Sequence, residues 1–408
     1  MKYLSVFVLL ACLAMSAMAQ KDAFVETIRE HVHTLTLNGG QVSGAGGILL
    51  NERVAESQFV LLGEQHGLAE VQAFGAALYD LAHQHGYRYF AVETDPVAAA
   101  RVELMASPSA QESEATAFFQ THQMAIPFFY SQEGMEMARA IHATGGGTPL
   151  FWGLDQVFVV EPRLIFTELV ELAPHEQARN LASDYLARAH KLFGEAMGSG
   201  DPSGVILMQL TSAEFEELRS AFKGEQGAVE MIDQMQLSQE IYRYWYDGQY
   251  YLNNSVRSDL MKRLFRNYYY QAVERDGAPP KVVFKFGSNH CVRGLTRTHI
   301  YDLGSTVAGL ADMNATRSLH LRLTGARGTA FNALQGPQAF DAVADWHPWL
   351  QEALDEIVSA DRDGWVLVDL RPLRHLRLKD ADEEIKSLVF GFDLWIIIPA
   401  ASPVTPFR

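Results

Sequence analysis

A chain of 408 residues with 48% hydrophobic and 20% charged side chains is too apolar for a disordered polymer and long enough to bury a large core. Its 49 acidic against 33 basic residues give a formal net charge of −16, which argues against nucleic acid and anionic membrane surfaces as partners. A small-molecule substrate suits this charge better.

The first elements concern export. Lys2, the apolar run from Leu4 to Met15 and the small-x-small ending Ala17-Met18-Ala19 predict a signal peptide over 1–19, cleaved before Gln20. Removing Lys2 takes the charge from −16 to −17, and a soluble periplasmic or secreted protein is expected. The residues after Cys12 stay apolar, which argues against lipid attachment there. Cys291 is then left without a disulfide partner, so stability must come from the core. His31 and His33 sit in a polar N-terminal helix pattern and read as a solvated face rather than a metal pair.

Phe59 to Gly63 reads as a buried strand. Val71, Phe74, Leu78, Leu81 and Ala82 recur at helical spacing between Leu68 and His85, with Gly86 as the stop. A second strand follows from Tyr87 to Glu93, and Asp95-Pro96 supplies a helix N-cap and first turn. The loop at Ser107-Pro108-Ser109 and a third strand, Pro149 to Leu154, come next. Residues from about 162 to 273 carry helical periodicity, broken at 198–204, and predict a helical insertion covering one end of the sheet. Strand character returns at Val282 to Gly287, Ser318 to Leu323, Trp365 to Leu370 and Leu394 to Ile398. The alternation predicts one α/β domain over 20–408, a mainly parallel central sheet flanked by helices with a helical lid.

Open α/β sheets bind ligands outside the carboxyl ends of their strands. Here those ends run into Glu64-Gln65-His66, Glu93, Asp155 and Ser288-Asn289-His290, so acids and imidazoles should gather at one edge. Two chemistries are open to such a set. A carboxylate-oriented imidazole can take a proton from water while another group steadies the oxyanion, or the same side chains can ligate a divalent metal. The sequence has no Gly-x-Ser-x-Gly elbow, His-Glu-x-x-His helix or Walker loop. Cys291, next to His290 on an extended segment, points away from it and reads as core rather than nucleophile.

The residues Phe59-Val-Leu-Leu-Gly-Glu-Gln-His-Gly-Leu-Ala-Glu70, Gly86 to Glu93, Trp152-Gly-Leu-Asp155 and Ser288-Asn-His290, with Phe392 to Pro399 near the end, resemble the successive motifs of the erythromycin esterase-like proteins. One departure is clear: a single residue separates Glu64 from His66 where that family has two, a spacing similar to the haem-binding ChaN-like lipoproteins. The resemblance implies a cofactor-free hydrolase of ester or lactone bonds. In it His66 is the general base, Glu93 orients it, His290 polarises the carbonyl, and Glu64 and Asp155 support them. Arg257 would hold an anionic group near the cleft. Tyr242 to Tyr246, Tyr250-Tyr251 and Phe128 to Tyr130 could line a broad apolar pocket for a bulky ester or lactone. The same aromatics would suit a periplasmic haem carrier, and the acids and imidazoles a metal-dependent hydrolase; both stay open as alternatives.

Overall fold

A computed structural model describes residues 18–145, 149–333, 335–359, 364–379 and 381–407. Most of the predicted leader, 1–17, lies outside the described residues, and 18–30 form a helix. Ten strands are found among the described residues: β1 (Val32–Asn38), β2 (Gln41–Ser43), β3 (Phe59–Glu64), β4 (Tyr89–Val92), β5 (Phe151–Gly153), β6 (Val282–Gly287), β7 (Ser318–Asn332), β8 (Gly336–Asp341), β9 (Trp365–Asp369) and β10 (Leu394–Ala401). They join in one sheet ordered β2-β1-β9-β10-β7-β3-β6-β4-β5, with β8 paired to β7. The six strands from β10 to β5 run parallel, while β1, β2, β8 and β9 attach through antiparallel pairs.

The central strands are mostly apolar because helices cover both faces. In β3 the side chains alternate. Phe59 turns toward Phe265 and Tyr269 of the long helix Tyr250–Asp276, whereas Val60 and Leu62 join Phe74 and Leu78 of helix Ala69–His83. Burying each such side chain contributes about 1.5–3 kcal/mol, so the two faces fix the register of this strand. No helix among the described residues is long and apolar enough to cross a membrane.

The helical insertion is present as helices Pro162–Glu171, Glu176–Ser199, Ile206–Gln209, Ser212–Ala221, Gln226–Tyr246 and Tyr250–Asp276. It has an apolar centre of its own, around Phe166, Tyr185, Leu207, Phe215 and Ile232. A buried carboxyl pair marks its root. Asp95 caps helix Pro96–Ala106 as expected, accepting from the amides of Val97 (2.9 Å) and Ala98 (3.3 Å). Burial drives Asp95 above the usual carboxyl range, and burial together with the Asp95 charge drives Glu161 well above it, so the two share a proton.

Several boundaries differ from the sequence reading. The strand read over Tyr87 to Glu93 is confined to β4, and the one read over Pro149 to Leu154 to β5, because the flanking residues already belong to loops. β7 runs nine residues past Leu323, far enough to pair with β8. The helical reading at His31 and His33 is wrong: the helix ends at 30, and Val32–Asn38 is drawn into the sheet by antiparallel pairing with β9, His33 lying opposite Leu367.

Candidate active site

Five sequence-predicted residues converge at the carboxyl edge of the parallel strands. Glu64 is the last residue of β3. The backbone stays extended one step further, Gln65 donating its amide to Leu323 O (3.0 Å) while its side-chain oxygen accepts from Gly325 N (3.0 Å). Two residues apart on an extended segment, Glu64 and His66 therefore share a face, and the Nδ1–H of His66 donates to Glu64 Oε1 at 2.8 Å. The single-residue spacing thus builds a carboxylate-imidazole pair directly. Gly67 then turns at φ +83, where a Cβ would lie 2.2 Å from Phe331 O; its carbonyl accepts from Phe331 N and Val404 N and pins the loop.

Glu93, just past β4, is the hub. Its Oε2 accepts from Gly287 N at 2.6 Å and faces His66 Nε2 at 3.7 Å; its Oε1 accepts from Arg257 Nη2 at 2.8 Å and lies 3.4 Å from His290 Nε2. His290 donates Nδ1–H to Asp302 Oδ2 at 2.7 Å. Arg257, from the long helix of the insertion, clasps Asp155 with Nε (2.9 Å) and Nη2. Behind Glu64 stands Lys285 of β6, its Nζ 2.6 Å from Oε2, with both side chains almost wholly buried.

These contacts set the charges. Burial works against ionised Glu64 and Glu93, but Lys285 and His66 together outweigh it at Glu64, and His290, His66 and Arg257 together outweigh it at Glu93; both carboxyls are held below their usual range, Glu93 far below. Burial also opposes a charged His290, yet Glu93 and Asp302 carry it up to about 10, so it is an imidazolium at neutral pH. His66 is raised too, burial being overcome by the Glu64 hydrogen bond and by the charge of Glu93. The two imidazoles differ in access. His66 keeps 44% of its side-chain surface open, whereas His290 keeps 10%. His66 is thus crowded on its protein side yet open on the other, as a proton-transfer group must be.

Two neighbours fix the His66 ring. Phe128 stacks on it with centroids 4.4 Å apart and planes 23° from parallel, and does so from a left-handed backbone, φ +65, a conformation that costs a non-glycine residue roughly 1–3 kcal/mol. Gly287 lies against its Nε2 edge. A Cβ there would sit 2.8 Å from His66 Nε2 and 3.4 Å from Glu93 Oε2. Gly287 is thus required by close approach. Gly287→Ala is expected to push the imidazole aside and lower kcat about 10²-fold, with thermal unfolding little changed; unaltered kcat would show that the ring position does not matter.

Arg257 also lines a cavity of about 400 Å³ whose walls include Phe158, Phe193, Tyr242, Trp245 and Tyr246. The expected aromatic pocket is therefore adjacent to the charged cluster, built from Tyr242, Trp245 and Tyr246 but not from Tyr244, Tyr250, Tyr251 or Phe128 to Tyr130, which do not line it. Among the described residues, Arg257 Nη1 has no protein partner. No three His, Cys, Asp or Glu side chains are set to hold a metal ion among those residues. Cys291 is buried, and burial with the nearby carboxylates pushes its thiol far above its usual range, so it is no nucleophile.

The sequence reading missed Lys285 and Asp302, and it assigned Phe128 to a pocket wall rather than to the His66 ring. A lysine inside the apolar run Val282-Val-Phe-Lys-Phe-Gly287 is a signal, since a buried cation needs a partner. Asp302 looks like a helix cap, which it also is, donating nothing and accepting from Leu303 N at 2.7 Å. The aromatic run Phe128 to Tyr130 draws notice in the sequence, but nothing in it sets Phe128 against His66.

No family model and no curated relative matches the chain. Among solved structures it is similar to a histidine-to-asparagine variant of the erythromycin esterase EreC in its open conformation, at 14% identity over 92% of this chain and 99% of that one, with a TM-score of 0.59. It is also similar to a succinoglycan biosynthesis protein (14% identity, 95% and 99% covered, TM-score 0.55) and to a protein from Bacillus cereus (13% identity, 95% and 99% covered, TM-score 0.58). The chain therefore shares the erythromycin esterase-like fold over nearly its whole length.

Proposed function

We propose that this chain is an exported hydrolase that cleaves an ester or lactone bond of a bulky, largely apolar substrate with water activated by His66. The observation that carries this reading is a solvent-open imidazole, held by Glu64 and facing Glu93, in a cluster that an aromatic-walled cavity reaches through Arg257. The fold shared with an erythromycin esterase supports it, as does the leader-like sequence of residues 1–19 for export.

With Nδ1–H committed to Glu64, the lone pair of neutral His66 lies on Nε2. Nε2 takes a proton from water as the oxygen attacks the carbonyl carbon. The new imidazolium stands between two carboxylates, Glu64 and Glu93, which stabilise it. Positive charge for the oxyanion comes from the His290 imidazolium and from Arg257, whose Nη1 is uncommitted. The tetrahedral intermediate then expels the alkoxide, which recovers the proton from His66 as the C–O bond breaks.

The pH profile follows with two limbs. His66 must be neutral, and its folded pKa is raised, so kcat/KM should climb with pH only above the ordinary histidine value of 6.5. His290 must be charged, so the rate should fall as pH passes about 10. Stability follows the same signs: the raised imidazoles favour the folded state below 6.5 and lose that contribution as pH rises through their folded values. Glu64 and Glu93 favour it above the ordinary 4.5 and lose it as pH falls. A rate profile with no acid limb above 6.5 would remove His66 as the base.

A panel of lactones and aryl esters tests the reading as a whole. Turnover should increase with the size of the apolar part up to what the cavity of about 400 Å³ admits; no hydrolysis across the panel would overturn it.

A further inference from the structure

The opposite edge of the sheet carries a second polar cleft. The segment after His290 doubles back along the sheet, His320 Nδ1 bonding Cys291 O at 2.7 Å, and delivers Arg293 to the amino end of β7, where it bonds Ser318 O at 3.2 Å. Arg317 precedes that strand, Arg53 lies at the end of helix Gly44–Ala55, and Arg371 and Arg374 follow the antiparallel β9. All five line one cavity of about 660 Å³.

Their carboxylate partners do not exhaust them. Asp393 takes Arg293 and Arg374, Asp369 takes Arg371, and Glu56 takes Arg53 and Arg317. With Asp312 also in the wall, four carboxylates face five guanidiniums, a positive surplus in a chain of net charge −16. Every one of the five retains N–H groups that no described residue accepts: Nε of Arg293 and Arg53, Nε and Nη2 of Arg317, and Nη1 of Arg371 and Arg374. The Nε of Arg53 is buried as well as unpartnered. Arg317 is 73% exposed and tied only by a 3.4 Å contact, so it is free to fold over a ligand. The facing wall is small, with Gly294, Ser305, Ala308 and Gly309, and exposed Tyr301 stands at the rim.

Guanidinium forks match the oxygens of phosphate and sulfate in pairs. We infer that this cleft is a binding site for a phosphate- or sulfate-type oxyanion group, separate from the hydrolytic cluster. It does not depend on the hydrolase reading.

Calorimetric titration of the full-length protein at low chloride, with inorganic phosphate, sulfate and phenyl phosphate as probes, tests it. At least one probe should bind saturably with Kd of about 0.1 mM or below. Arg317→Ala, which strips no buried carboxylate of its partner, should weaken that binding about threefold with the unfolding temperature unchanged, and adding Arg371→Ala should bring the loss to tenfold or more in a still folded protein. Tighter binding of phenyl phosphate identifies an organic ester lying against Tyr301, and equal binding a free oxyanion. Failure of the wild type to bind all three at 10 mM, or binding that the double variant retains in full, overturns the site.

Discussion

Replacing His66 by alanine is expected to lower kcat on any ester or lactone the protein turns over by about 10³-fold, within the 10²- to 10⁴-fold range of a positioned base. Thermal unfolding should hardly move, since the side chain is 44% exposed and Glu64 keeps Lys285 at 2.6 Å. The vacated space beneath Phe128 should admit free imidazole, so added imidazole should restore part of the rate in proportion to its unprotonated fraction. The measurement is steady-state kinetics of both proteins on one substrate. Undiminished turnover in the variant would end the proposed mechanism, whereas lost activity without imidazole rescue would leave a purely positional role for the ring.

Arg257→Ala should act first on stability. Its guanidinium is shared by Glu93 and Asp155, whose side chains are 5% and 6% exposed, and removing one partner of a buried ion pair costs about 3–5 kcal/mol. Glu93 retains Gly287 N and His290, which places the loss toward the lower end. Arg257→Lys should recover little, because a point charge cannot bond Asp155 through two nitrogens and reach Glu93 as well. Without the guanidinium the folded pKa of Glu93 rises, so the deficit relative to wild type should shrink as pH falls. Urea unfolding at neutral and acid pH reads both; a loss below about 1 kcal/mol at pH 7 would show the network to be solvated and weak.

Much of this arrangement was legible before any coordinates. Parallel strands covered on both faces need largely apolar runs, so β3, β6 and β10 announced themselves, and the residues at the carboxyl ends of the parallel strands pointed to one edge. Glu64, His66, Glu93, Asp155 and His290 do meet there, and Arg257 reaches them from the insertion. The edge strands were opaque for a physical reason. β2 has three residues, and β1 and β8 are partly solvated with mixed polar and apolar side chains, so neither period dominates. Contacts set by tertiary packing were equally hidden. Nothing local in the sequence tells that Phe128 takes a left-handed backbone to lie on His66, or that the cap residue Asp302 also holds His290.

The charges around Glu93 carry a consequence for turnover. Four carboxylates, Glu64, Glu93, Asp155 and Asp302, face two permanent cations, Lys285 and Arg257, and one lasting imidazolium, His290. With His66 neutral and ready to react, the ensemble is therefore one unit negative. An uncharged ester enters such a field without penalty, but the acid it yields leaves as an anion and is repelled from the place where it formed. Hydrolysis here would drive out its own product, and accumulating carboxylate should inhibit the protein weakly.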